Sequence, residues 1–154
     1  MHDDDSTSVE APTESDVAEI SKLYLASRAE AFSFLRQVHT DSEVLDWIRD
    51  VLLKRCETAV ARRRGTILGF AALHGAVLDQ LYVLPGHYRR GIGRMLLDWA
   101  KARSPNRLWL YTFQRNARAR AFYESQGFRA LTLSDGARNE EKEPDILYEW
   151  IPAG

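Results

Sequence analysis

The chain has 154 residues, 45% hydrophobic and 28% charged, a composition that suits one globular domain able to bury a real core. With 21 basic residues against 22 acidic ones the formal net charge is −1, which excludes a general attraction to nucleic acid or membrane. A single cysteine, Cys56, excludes an internal disulfide and a cysteine-built zinc site.

The chain begins with polar, acidic residues, and 1–8 are expected to fray, leaving 9–154 as one domain. Met1 to Asp5 lacks the basic start and apolar core of a signal peptide, and no apolar run approaches the ~20 residues of a membrane span, so a cytoplasmic address is expected. Val9 to Ala11 reads as a short edge strand stopped by Pro12. Thr13 or Ser15 can cap a first helix with Asp16 and Glu19 in its opening turn and Val17, Ile20, Leu23, Tyr24 and Ser27 as its buried stripe. Thr40-Asp41-Ser42-Glu43 is a capping signal for a second helix, with Val44, Leu45, Trp47, Ile48 and Leu52 apolar. Between the two, 31–39 is apolar without a clear period and is a candidate pocket lining.

Glu57 to Arg62 and Thr66 to Leu73 read as a hairpin closed at Arg63-Arg64-Gly65. The strand from Val77 to Leu84 ends at Pro85-Gly86, a pair that removes a ladder donor and favours a turn. Ile92, Met95, Leu96, Trp99 and Ala100 then recur at helical spacing over 92–103. Leu108 to Phe113 is a strand, and 116–126 is a helix closed by Gly127. Phe128 to Leu133 and Ile146 to Ile151 are a last pair of strands. The acidic segment 134–145 between them reads foremost as a solvated turn and secondarily as an attractor of cationic amines. This mixed order, with a strand–helix pair in mid-chain, predicts an α/β sheet covered by helices on both faces.

The turn Arg89-Arg90-Gly91-Ile92-Gly93 joins a strand to a helix N-terminus. Unpaired N–H groups, the helix dipole, two bare glycines and two arginines suit it to an anion; taken alone, it reads equally as an ordinary strand-to-helix connection whose glycines serve a tight turn. It is not a P-loop, since Arg94 and Met95 follow Gly93 where lysine and Ser/Thr are required. It is not a dinucleotide fingerprint either, since position 96 is leucine. Downstream stands Asn116-Ala-Arg-Ala-Arg-Ala-Phe-Tyr-Glu-Ser-Gln-Gly-Phe128. The two motifs, in this order and separation, resemble the GNAT superfamily of acyl-CoA-dependent N-acetyltransferases, over residues 65 to 150.

That resemblance implies a mixed, mostly antiparallel twisted sheet and an acetyl-CoA or CoA site without metal. Residues 88 to 94 (Tyr88, Arg89, Arg90, Gly91, Ile92, Gly93 and Arg94) correspond to the pyrophosphate loop. Tyr88 stands where the family usually has Gln or Arg, a change expected to alter affinity more than kind. The backbone of Leu81, Tyr82 and Val83 would pair with the pantetheine arm as an added strand does, and the N–H of Tyr82 or of Val83 would polarise the thioester carbonyl. Asn116 both caps its helix and contacts the arm in the family, with Ala119 and Phe122 on the same helix completing the donor site. Tyr123 matches the proton donor to the leaving thiolate, because a phenol of pKa near ~10 stays protonated at neutral pH.

For the general base two routes stand open: Asp79, whose burial in an apolar strand would make it more basic, or ordered water. Nothing resembles an activated Cys or Ser nucleophile, so direct transfer to a primary amine, on a small molecule or a peptide, is the expected reaction. The rival is a non-catalytic CoA-binding sensor or partner-binding module on the same fold, which would have no use for a proton donor at 123. Relatives often pair through sheet edges or helices, so the resemblance admits a homodimer. His39, His74 and His87 lack ligand spacing.

Overall fold

A computed structural model describes residues 6–35 and 37–153. Seven strands form one sheet in the order β1-β2-β3-β4-β5-β7-β6. They are β1 (Ser8–Glu10), β2 (Glu57–Arg63), β3 (Thr66–His74), β4 (Val77–Val83), β5 (Leu108–Phe113), β6 (Arg129–Ser134) and β7 (Asp145–Trp150). Neighbours are antiparallel except β4 and β5, which run parallel. The fold is thus the mixed, mostly antiparallel one expected, with helices on both faces. Ser8 pairs with Arg62, so the expected frayed start does not reach residue 8; Met1 to Asp5 lie outside the described residues.

One face is covered by α1 (Val17–Ala31) and α2 (Asp41–Trp47). The path of α2 continues through a π-helical turn, Ile48–Leu52, into a last short turn, α3 (Leu53–Arg55). The capping box at Thr40 forms as its spelling dictates: Glu43 N–H donates to Thr40 Oγ1 at 3.1 Å, and Thr40 N–H donates to Glu43 Oε1 at 2.8 Å. Ahead of α1, Thr13 N–H donates to Asp16 Oδ2 at 2.9 Å, and Glu14–Asp16 form a 3₁₀ turn before the α-helix begins. Ile20, Leu23, Ile48, Leu52 and Phe70 are fully or almost fully buried in this layer. Each such side chain contributes about 1.5–3 kcal/mol through area removed from water.

The other face carries α4 (Ile92–Arg103) and α5 (Ala117–Ser125), packed on Leu68, Leu78, Leu108 and Ile146. The β2–β3 hairpin turns at Arg64 and Gly65, both at positive φ (52° and 78°), as a two-residue turn matched to strand twist requires.

Against β3, the register of β4 slips by one residue. Ala72 faces Gln80 while Leu73 faces Leu78, so Asp79 is the extra residue of a β-bulge. Leu78, Leu81 and Val83 then belong to the α4/α5 face, and Tyr82 to the α1/α2 face.

Candidate active site

The strands β4 and β5 meet at Val77 and Trp109, where the Trp109 N–H donates to the Ala76 carbonyl at 2.8 Å, and then part. Beyond that point Leu78–Val83 and Leu110–Phe113 become opposite walls of a cleft of about 760 Å³. Parting strands expose backbone N–H and C=O groups that a chain of amides can satisfy. Leu81, Tyr82 and Val83 all line the cleft, Tyr82 and Val83 facing Phe70 and Gly69 of β3 on their paired side.

At one end stands the start of α4. Gly91 is its N-cap, at φ +84°, a left-handed conformation that a side chain would strain. No side chain caps this helix, and the Met95 N–H is the one that reaches the Gly91 carbonyl, at 3.0 Å. The N–H groups of Ile92, Gly93 and Arg94 therefore have no partner within the helix. Gly91 is needed for its backbone angle, whereas Gly93 is needed for space. A Cβ there would stand 3.3 Å from Phe122 Cζ and 3.7 Å from Val83 Cγ2, where α4, α5 and β4 converge.

Tyr88, Arg89, Gly91, Gly93 and Arg94 line this end of the cleft. Two of the expected loop residues do not. The Ile92 side chain is buried in the core, so its place in the loop is that of a backbone N–H. Arg90 is exposed and is not part of the lining. Tyr88 lies beneath Arg118, whose guanidinium carbon is 3.9 Å from the ring centre. Burial, then the Glu30 carboxylate, holds the Tyr88 phenol above its ordinary pKa.

The α5 wall supplies Asn116, Ala119, Phe122 and Tyr123. Asn116 caps this helix through its side chain, taking the Ala119 N–H at 3.2 Å. Tyr123 is 8% exposed, packed among Phe122, Phe128 and Tyr148, and burial pushes its phenol well above the ordinary value. Its hydroxyl makes no hydrogen bond to the described residues, so a neutral O–H is held at the cleft with its proton uncommitted.

Asp79 lines the cleft but is exposed, and among the described residues its carboxylate takes only the Gln80 amide, at 3.1 Å. The burial on which its role as base was expected is absent, because the bulge turns it out of the strand.

The opposite end was missed. Arg28, late in α1, donates to the Tyr82 hydroxyl at 3.0 Å and to Glu141 Oε2 at 2.9 Å, with Phe32 5.2 Å from its guanidinium carbon. Phe32 in turn meets Phe113 edge-on, their ring centres 5.0 Å apart. Segment 134–145, expected foremost to be a solvated turn, is instead fastened over this end. Arg115 grips Glu143 through two bonds of 2.8 Å, Asn139 Nδ2 donates to the Glu143 carbonyl at 2.7 Å, and His39 meets Glu140 at 2.6 Å. Glu143 is 7% exposed, and the hydrogen bonds from Arg115 hold its carboxyl below the usual range. The expectation that 31–39 lines a pocket holds in this cleft for Ala31 and Phe32, while Leu35, Gln37 and Val38 line a second, smaller pocket with Glu140 and Glu141; Arg36 lies outside the described residues. Only the acid content of 134–145 hinted at this wall.

Among the described residues no group of three or more His, Cys, Asp or Glu side chains comes together as a metal-ligand set, and no helix is long and apolar enough to cross a membrane.

Comparison with known proteins bears on what this cleft holds. The profile of the acetyltransferase (GNAT) family matches residues 14–128. The peptidyl-lysine N-acetyltransferase YiaC of Escherichia coli is 28% identical over 137 residues, 88% of this chain and 91% of that one. Apo YjaB of Escherichia coli superposes with a TM-score of 0.79 at 23% identity, over 96% of this chain and 99% of that chain. The PaiA N-acetyltransferase of Thermoplasma acidophilum, in complex with coenzyme A, superposes with a TM-score of 0.72 at 19% identity, over 96% and 99%. At these identities the two structures speak for the fold.

Proposed function

The chain belongs to the acetyltransferase (GNAT) family and is an acetyl-CoA-dependent acetyltransferase, and from that premise we propose that it moves the acetyl group directly to a primary amine within a ternary complex. What carries the proposal is the placement of the uncommitted Tyr123 hydroxyl in the same cleft as the uncapped start of α4, where β4 and β5 part.

In this reading the diphosphate of the donor meets the free N–H groups at 92–94, and the pantetheine arm pairs with the backbone of Leu81, Tyr82 and Val83. The amine nitrogen attacks the thioester carbonyl. A C–N bond forms, the C–S bond breaks, and Tyr123 gives its proton to the departing sulfur. Burial suits Tyr123 to this part, since it keeps the phenol protonated far above neutral pH. The exposed Asp79 leaves water as the simpler route for the proton lost by the amine.

The acceptor enters at the end walled by Phe32, Phe113, Arg28 and Glu141, and is a small-molecule or peptide amine. The name of the Escherichia coli relative supports the peptide form. The protein works as a single catalytic domain in the cytoplasm.

The test is binding followed by turnover. At 100 times Kd, CoA should stabilise the protein by about 2.7 kcal/mol, read as a rise in melting temperature. A panel of amines offered with acetyl-CoA should then release thiol. No thermal shift at millimolar CoA would remove the donor site, and with it the reaction.

A further inference from the structure

We propose that Arg118 captures the diphosphate of the acyl donor from the wall facing the glycine turn. This rests on the reading of the cleft as a CoA site.

The arginines of the turn are poorly prepared for an anion. Arg89, Arg90 and Arg94 are exposed, and among the described residues Arg94 reaches Asp98 alone, at 3.9 Å. Each must give up many rotamers to meet a phosphate. Arg118 is already held. It stands in the first turn of α5, two residues past the cap at Asn116, and its guanidinium lies over the Tyr88 ring at 3.9 Å. Its Nη2 is 3.5 Å from Glu30 Oε1, near the end of α1. The side chain thus spans from α5 to the turn, and both Tyr88 and Arg118 line the cleft beside Gly91 and Gly93.

A ring beneath a guanidinium fixes it without consuming its N–H donors, which remain for a planar fork onto two phosphate oxygens. The Glu30 contact is long and joins half-exposed groups, 48% and 44% accessible, so it parks the cation rather than neutralising it. A diphosphate brings more charge and more acceptor oxygens than one carboxylate, and takes the guanidinium over. Tyr88 is then the seat of a cation supplied from another helix, and the same contact draws α5 toward the turn with the arm between them.

The experiment titrates CoA, dephospho-CoA and pantetheine calorimetrically into the full chain and into Arg118→Gln. CoA and dephospho-CoA, which both carry the diphosphate, should bind about tenfold more weakly to the variant, the scale of one charge-assisted hydrogen bond. Pantetheine, which has no phosphate, should bind both proteins alike. Unchanged CoA affinity in Arg118→Gln would overturn the proposal, and so would an equal loss for pantetheine, which would make Arg118 a structural prop. A loss seen with CoA but not dephospho-CoA would move the contact to the 3′-phosphate and overturn the diphosphate assignment. If the parent protein bound none of the three, the donor-site reading itself would fall.

Discussion

Where the cleft faces α4 and α5 its wall is largely backbone: the parting of β4 from β5, a left-handed glycine, a helix start without a cap. Where it faces α1 and the segment 134–145 the wall is a set of side-chain pairs, Arg28 with Tyr82 and Glu141, Arg115 with Glu143, His39 with Glu140. The first kind is dictated by neighbours in sequence and should serve any member of a family that shares a donor. The second is assembled by residues far apart in the chain and is free to differ with the acceptor.

Three variants would break or sharpen that contrast. The largest effect is expected of Gly93→Val, which puts branched carbon where Phe122 already stands 3.3 Å from the Cβ position. Measurable CoA binding should disappear, and displacing Phe122 should cost about 1–3 kcal/mol of stability, read in the melting temperature. A variant that bound CoA like the parent would show that the donor wall does not depend on its bare turn.

Next comes Tyr123→Phe, which leaves the shape of that wall and removes one proton. Its kcat should fall roughly 10²-fold with CoA affinity unchanged. Since burial holds this phenol above its ordinary value, the parent enzyme should keep its rate from neutral pH to about pH 10, where an unperturbed tyrosine would begin to ionise. Turnover unaltered by the substitution would take Tyr123 out of the chemistry.

The smallest effect belongs to the other wall. Arg28→Met cuts the links to Tyr82 and Glu141. It should raise the acceptor KM about tenfold, the loss of one hydrogen bond to a charged group, and leave CoA affinity alone. An equal loss on the donor side would mean the two walls are not separable.

The same division explains what could be read from the chain. The α4 bounds, β5 and the Thr40 capping box come from local signals of period, cap and turn residue, and the structure carries them as spelled. The cleft placement of Gly91, Gly93, Asn116 and Tyr123 rests on short motifs whose backbone geometry is local. Arg28 and Glu141 are 113 residues apart, and no local pattern announces that one will meet the other. Segment 134–145 was misjudged for the same reason: its acids look solvated until Arg115 and His39 arrive from elsewhere. Asp79 failed in another way. Its apolar neighbours suggested burial, but a bulge obeys the pairing of two strands, and one strand alone does not display it.

That single surplus residue also sets which way a phenol looks. Side chains on an unbroken strand alternate strictly, so Tyr82 would share the side of Leu78 if position 79 did not interrupt the count. The interruption turns the outer half of β4 over: Tyr82 swings toward Arg28, while Leu81 and Val83 swing toward α4 and α5. Drawing that one aspartate into regular pairing would exchange the two sides, leaving the arginine without its hydroxyl and setting an aromatic ring against the opposite helices, whereas deleting it would leave both sides as they are.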